Sequence, residues 1–86
     1  MRTRAKICGI TRAQDIQAAV NAGVDAIGLV FFEPSPRYVN IELAQQLAKL
    51  IPPYVSIVGL FVNATAEDIA QVLEHVSLDV IQFHGD

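Results

Sequence analysis

The stretch Lys6-Ile7-Cys8-Gly9-Ile10-Thr11 predicts a short buried strand that stops at a glycine and gives way to a helix. Side chains alternate between the faces of a strand, so Lys6 and Cys8 share one face and Ile7 lies on the other. An ammonium group on the same face favours the thiolate, which is the reactive form of a thiol. A free cysteine is also commonly a small buried core residue, so this stretch alone is compatible with both interpretations.

The same order of strand and helix recurs along the rest of the chain. Further apolar runs predict three more strands, at residues 25–32, 55–62 and 79–84. Helical spacing between the strands predicts three helices, with caps at Thr11, Asn40 and Thr65. We expect Thr11 to form a capping box with Gln14, Gly23 to stop the first helix, and Pro52-Pro53 to end the second. The nearly continuous apolar run 25–32 is typical of a parallel strand that is covered on both faces. The predicted order is therefore βαβαβαβ, with a parallel sheet and the helices outside it.

The last predicted strand decides between two architectures that share this order, an open doubly wound sheet and a (β/α)8 barrel. Gln82 and His84 share one face of this strand, while Ile81 and Phe83 share the other. A doubly wound sheet covers both faces with apolar helices, whereas one face of a barrel opens into a mouth where polar groups serve function. We expect an α/β fold, the N-terminal half, (βα)3β, of a (β/α)8 TIM barrel, with residues 1–86 as a single partial domain.

Composition and charge exclude several classes of protein. The 86 residues are 52% hydrophobic, which is unusually apolar for this size and indicates a further face buried against a partner or a larger core. A net charge of −3 gives no field that attracts nucleic acid or anionic membranes. There is no apolar run of membrane-spanning length and no signal-peptide pattern, and one cysteine fits a reducing compartment. We therefore expect a cytoplasmic protein with neither nucleic acid nor membrane as a partner.

Polar or reactive groups follow each of the predicted strands. They are Cys8, the loop that holds Ser35 and Arg37, Asn63, and His84. In a barrel these strand ends converge on one rim, which places the side chains around a common pocket. Each has a simpler explanation: Arg37 as a solvated loop charge, Asn63 as a turn residue, and His84 as a hydrogen-bonded structural histidine.

Taken together, the motifs resemble those of the phosphoribosylanthranilate isomerase family. The resemblance spans all 86 residues and is carried by residues 6–11, by Phe31 through Ser35-Pro36-Arg37, by 59–63 and by 82–85. It implies an Amadori rearrangement in tryptophan biosynthesis. The aminoaldose N-(5′-phosphoribosyl)anthranilate becomes the aminoketose 1-(2-carboxyphenylamino)-1-deoxyribulose 5-phosphate, without metal or organic cofactor.

The resemblance also implies roles for individual residues. Cys8 is the general base that takes a proton from C2 of the opened sugar, and such a base must be poised near neutral pH. Arg37 clamps the anthranilate carboxylate, for which a planar guanidinium is suited. Lys6, Asn63 and His84 bind the substrate in the same pocket. The general acid, an aspartate of a later strand, and the phosphate-binding loops lie outside these residues, so we expect the chain alone to be inactive.

Two other hypotheses remain open at this point. One is a non-catalytic half barrel that serves in assembly, because a half barrel has open edges and an uncovered inner face. These surfaces predict self-association or completion by a C-terminal half. The other is a different phosphosugar barrel enzyme of histidine or tryptophan synthesis. The segment Lys6–Gly9 disfavours it, because those relatives generally start catalysis from a carboxylate or a lysine.

Overall fold

The computed structural model describes residues 4–85. Within that range, strands and helices alternate in the order β1 (Lys6–Cys8), α1 (Ala13–Asn21), β2 (Ala26–Val30), α2 (Ile41–Ala48), β3 (Ser56–Val62), α3 (Ala66–His75) and β4 (Val80–His84). All neighbouring strands are parallel, and the order in the sheet is β1-β2-β3-β4. The predicted (βα)3β order is confirmed. None of the helices in the described range has the length and apolar character of a membrane span.

The two faces of the sheet have different surroundings. Ile27 and Leu29 of β2 and Phe61 of β3 lie on the face toward the helices, and each is exposed by 1% or less. They form the core together with apolar residues of the helices, among them Ile16, Ala44, Leu47 and Val72. We call the opposite face the inner face; it is the face of Lys6 and Cys8 on β1, Gly28 on β2, Val58 on β3, and Gln82 and His84 on β4.

One side-chain contact shows how strongly the sheet is curved. Lys6 Nζ on β1 donates a hydrogen bond of 2.8 Å to Gln82 Oε1 on β4, although two strands lie between them. The residues paired across the sheet from Lys6 are Ala26 and then Ser56, and the next in line is position 78, just before β4. Gln82 lies four residues beyond that position in the chain. A barrel of eight strands with a shear of eight shifts by about one residue per strand, or about three over this distance. The contact therefore has the stagger of a barrel wall.

The predicted start of α1 is wrong. The helix begins at Ala13, with Arg12 as its N-cap residue and no side-chain cap, so Thr11 does not cap it. The Arg12 guanidinium instead donates two hydrogen bonds to the Asp15 carboxylate, of 2.9 and 3.1 Å. These bonds raise the pKa of Arg12 and lower the pKa of Asp15. An ion pair within the first turn has taken the place of the expected capping box.

The other helix caps follow the sequence prediction. Gly23, which has a φ of +82°, ends α1, as expected for a residue that tolerates the left-handed conformation. The Asn40 side chain accepts a backbone N–H in the first turn of α2. Thr65 and Asp68 form a reciprocal capping box at α3. These caps fix where each helix begins or ends, and thereby the lengths of the loops at the rim.

Two expectations about burial and length are wrong. Lys6 and Ile7 are exposed and Cys8 is half-buried, because β1 has only one neighbouring strand within the described residues. Helix α2 ends at Ala48 and does not continue to Pro52. The backbone tightens into turns over residues 49 and 50, before the prolines. Neither difference moves the carboxyl ends of the strands.

Candidate active site

Cys8 ends β1 with its thiol on the inner face. It is paired with Gly28, and a β-carbon at Gly28 would lie 2.8 Å from Cys8 Sγ. The neighbours of Gly28 in β2, Ile27 and Leu29, lie on the opposite face under the helices. The thiol is therefore not covered by a helix, and the missing side chain at Gly28 leaves the space that the sulfur occupies.

The loop that carries Arg37 is folded back against β2. Ser35 Oγ accepts a hydrogen bond of 3.1 Å from the Arg37 backbone N–H, and Ser35 O accepts one of 3.1 Å from Tyr38 N–H. The Val39 N–H donates to Val30 O at 2.9 Å, and the Val39 side chain is completely buried. The loop is thus anchored at both ends, which limits the positions that Arg37 can take.

Arg37 reaches from this loop to the end of β1. Its side chain packs over Gly9, where a β-carbon would collide with Arg37 Cδ. Gly9 has a φ of +86°, and its N–H donates to Gly28 O at 3.0 Å. Cys8 and Arg37 also both border a cavity of about 410 Å³ between the edge of β1 and α1, outside the inner face. The structure therefore brings the predicted base and the predicted carboxylate clamp together.

Asn63 and His84 form a second pair, across the sheet from the first. The Asn63 N–H donates a hydrogen bond of 2.8 Å to His84 O, and both side chains are exposed. Asn63 has a φ of +51°, a left-handed conformation that asparagine adopts more readily than most residues. This conformation is what a turn residue requires, so the structural interpretation of Asn63 has direct support. It leaves the side chain at the rim beside His84.

One residue of each pair, Cys8 and His84, lies at the same level of the inner face. Lys6 and Gln82 are in contact, and Cys8 and His84 each follow two residues later on the same strand and the same face. Cys8 and His84 therefore occupy the next inward-facing level toward the carboxyl ends. A barrel places its active site at these ends. Cys8 and His84 thus lie at the carboxyl end of the inner face, with Lys6 one level below them.

The sequence did not indicate two features of this site. Gln82 was placed on the inner face, but its partner Lys6 lies 76 residues away in the chain. Only the curvature of the sheet creates that contact. The position of Gly28 under the thiol was also missed, although a glycine inside an otherwise apolar strand is a signal of close approach.

A second cavity lies on the helix side of the sheet. It measures about 360 Å³, and its lining includes Phe31, Tyr38, Phe61 and Asn63. Phe31 and Phe61 stack with their ring centroids 5.2 Å apart. Of the predicted site residues only Asn63 borders this cavity, and the aromatic residues act as core and wall.

Parallel strands with barrel curvature, and a thiol at the carboxyl end of the first strand, are the features of a (β/α)8 barrel wall. Comparison with protein families identifies which barrel this is. The family model described as N-(5′-phosphoribosyl)anthranilate isomerase matches residues 5–86, and the chain belongs to this family. The family resemblance and the predicted half-barrel fold are both confirmed.

Relatives and solved structures agree with this assignment. The chain is 71% identical over 86 residues to the N-(5′-phosphoribosyl)anthranilate isomerase of Acinetobacter calcoaceticus, covering all of this chain and 40% of the relative. The isomerase of Ralstonia pickettii is 58% identical, with 99% of this chain and 36% of the relative covered. The chain thus spans about 40% of the length of the relatives it matches.

The structural agreement is equally close. A crystal structure of the isomerase from Thermotoga maritima matches 99% of this chain with a TM-score of 0.93 and 42% identity, over 42% of its own chain. Another isomerase structure, in complex with reduced 1-(o-carboxyphenylamino)-1-deoxyribulose 5-phosphate, matches with the same TM-score of 0.93, over 99% of this chain and 44% of its own.

Proposed function

We propose that this chain is the amino-terminal part of a phosphoribosylanthranilate isomerase of tryptophan biosynthesis. The observation that carries the proposal is the thiol of Cys8, which lies on the inner face at the carboxyl end of β1 with Arg37 packed over the adjacent Gly9. The ligand in the related complex joins a carboxyphenyl group to a phosphosugar. A ligand of that kind needs one group that binds a carboxylate and others that bind sugar oxygens, and the rim of this sheet offers both.

Cys8 is the general base in this proposal. It takes the proton from C2 of the ring-opened imine, so the C2–H electron pair forms the C1=C2 bond while the C1=N electron pair moves onto nitrogen. The resulting enolamine becomes the ketose when C1 gains a proton and the C2 hydroxyl loses its proton. The ring oxygen is protonated by an acid from a strand outside this chain. A thiol suits the role because its conjugate base, the thiolate, is the reactive form. Its half-buried position at the strand end leaves it open to a substrate in the mouth.

Arg37 binds the anthranilate carboxylate. The guanidinium presents donors in a planar fork that matches the two oxygens of a carboxylate. Its side chain is held against Gly9, next to the base, so a substrate bound through its carboxylate has its sugar close to Cys8. Asn63 and His84 contact the substrate from the other side of the mouth, where a backbone hydrogen bond joins them. Lys6 contacts it from the floor.

The remaining surface of the sheet supports completion by a C-terminal half. On β4, Val80, Ile81 and Phe83 are exposed by 47%, 42% and 54%, and this strand has no neighbour on its outer side within the described residues. In a barrel, the next helix and strand cover such an edge. We propose that the C-terminal half binds here and supplies the general acid and the phosphate-binding loops, so the chain alone is inactive.

The same unpaired edge strand favours a second function, that of a non-catalytic half barrel that associates with a second copy of itself. Apolar side chains on an unpaired edge strand are a template for association. Sedimentation of the isolated chain tests this alternative. A monodisperse monomer of 9.3 kDa at all concentrations would exclude it.

The enzymatic proposal is tested in a chimera in which this chain replaces the matching segment of the Acinetobacter calcoaceticus relative. We expect the chimera to convert phosphoribosylanthranilate, followed by the loss of substrate fluorescence. Cys8→Ala should lower kcat by about 10²–10⁴, which is the contribution of a general base. His75→Ala is the control, because His75 is exposed at the carboxyl end of α3, and it should leave kcat and KM unchanged. A folded but inactive chimera contradicts the isomerase proposal, and full activity of Cys8→Ala removes Cys8 as the base.

A further inference from the structure

Gln82 is an inner-face residue to which the mechanism above assigns no role. Its Oε1 accepts a hydrogen bond of 2.8 Å from Lys6 Nζ. The two residues come from the first and last strands of the sheet, so the bond spans the concave side of the barrel wall. Gln82 is half-buried, whereas Lys6 is exposed. The bond therefore restrains a long, flexible side chain that little else holds in place.

The chemistry of the pair fixes the orientation of both groups. An ammonium group has donors only, whereas a carboxamide has an acceptor end and a donor end. The amide oxygen must therefore face Lys6, and the NH₂ group must point away from it. A hydrogen bond with a charged donor is also about twice as strong as one between neutral groups. Gln82 thus holds the Lys6 ammonium at one place on the floor of the mouth.

That place lies next to the proposed reaction centre. Cys8 and His84 occupy the level directly above Lys6 and Gln82 on the same face. Arg37 holds the carboxylate end of the substrate at the rim, so the group that reaches the floor beneath Cys8 is the sugar. A fixed ammonium there donates to sugar oxygens without first losing the freedom of its side chain.

We infer that Gln82 is a positioning residue that acts through Lys6, holding the ammonium group for the sugar oxygens of the substrate. This inference rests on the isomerase function proposed above. Gln82 itself need not contact the substrate. Its contribution depends on Lys6 being present, and this dependence distinguishes positioning from a direct or a purely structural role.

A double-mutant cycle in the chimera tests the inference. Gln82→Leu removes the acceptor, Lys6→Met removes the ammonium, and the third variant combines them. We expect each single change to lower kcat/KM about tenfold, mainly through a higher KM, because a hydrogen bond to a charged group has about that effect. The combined variant should match Lys6→Met alone. Gln82→Glu keeps an oxygen toward the ammonium and should stay within about threefold of the parent. Gln46→Leu, exposed on α2, is the matched control.

The outcomes separate this inference from the function on which it rests. An active parent chimera with additive losses, or with no loss in Gln82→Leu, overturns the role of Gln82 and leaves the isomerase proposal intact. An inactive parent overturns both. Melting temperatures of all variants are measured in parallel, since a structural role would lower them equally with and without Lys6. Gln82→Met, closer in shape to glutamine, replaces Gln82→Leu in the cycle if the leucine variant does not fold.

Discussion

The side chain of Arg37 fills the space that any side chain at Gly9 would need. Gly9 directly follows the strand that ends in Cys8, whereas Arg37 belongs to the loop after the next strand. The contact therefore ties the guanidinium of one loop to the strand end that carries the thiol. The spacing between the proposed base and the proposed carboxylate clamp depends on a residue with no side chain.

This contact predicts a specific effect of Gly9→Ala. The φ of +86° disfavours alanine, so we expect the chimera to lose about 1 kcal/mol or more of unfolding free energy. The new methyl group also displaces Arg37, and KM should rise about tenfold. Gly23→Ala is the matched control, because its φ is +82° but no atom lies within 4 Å of the new β-carbon. Denaturant unfolding and steady-state kinetics measure both effects. An unchanged KM in Gly9→Ala would show that Arg37 adapts freely.

A second prediction concerns the space beneath the thiol. A β-carbon at Gly28 lies 2.8 Å from Cys8 Sγ and 3.3 Å from Cys8 Cα, so Gly28→Ala must move the base. We expect kcat to fall about a hundredfold, since displacement of a catalytic group by about 1 Å has that effect. Gly59→Ala is the control on the opposite face, where its β-carbon lies 2.5 Å from Leu78 Cδ1. It should lower stability and leave kcat close to that of the parent. Equal kcat values for the two variants would contradict the assignment of Cys8.

Two substitutions at Asn63 separate the effect of its backbone conformation on stability from the effect of its side chain on substrate binding. Glycine adopts a φ of +51° at no steric cost, so Asn63→Gly should retain the turn. Asn63→Ala should lose about 1 kcal/mol of unfolding free energy, because alanine disfavours that conformation. If the amide binds substrate, KM rises several-fold in both variants. A normal KM in Asn63→Gly would mean that the residue serves the turn alone.

The helix caps give a prediction about stability. Thr65→Ala breaks the reciprocal capping box with Asp68 and should cost about 1 kcal/mol of unfolding free energy. Thr11→Ala is the matched change at α1, where the threonine does not act as the cap. It should stay within about 0.5 kcal/mol of the parent. Denaturant unfolding of the chimera compares the two variants. Equal losses of unfolding free energy would show that Thr11 does cap α1.

The exposed apolar side chains of β4 predict how the isolated chain behaves in solution. Phe83→Lys puts a charge on an apolar edge strand and should weaken concentration-dependent association in sedimentation experiments. Tyr54→Lys is the control, because Tyr54 is even more exposed, at 77%, but lies at the other end of the sheet, before β3. Association that resists Phe83→Lys and yields to Tyr54→Lys would place the contact surface elsewhere.

The sequence predicted the features that depend on local pattern. The apolar run 25–32 indicated a parallel strand, and the polar pair Gln82 and His84 indicated a barrel because only a barrel has a wet inner face. Asn40 and Thr65 were recognised as caps because their partners lie within the same helical turn. In each case the physical cause acts over a few residues.

The sequence did not predict features that depend on competing local interactions or on contacts between residues far apart in the chain. Thr11 does not cap α1 as predicted, and an ion pair between Arg12 and Asp15 is found in the first turn instead. The capping pattern in the sequence does not reveal that ion pair. The exposure of β1 depends on how many strands surround it, which no local pattern records. The bond from Lys6 to Gln82 arises from the stagger of the whole sheet.

The order of strands in the sheet is also their order in the chain. Each new strand emerging from the ribosome therefore finds its partner already made, and no earlier strand has to separate to admit it. Synthesis and assembly can proceed in the same direction, one strand and helix at a time. By the same logic, duplication of such a unit lengthens the sheet at its growing end without disturbing the part that is already built.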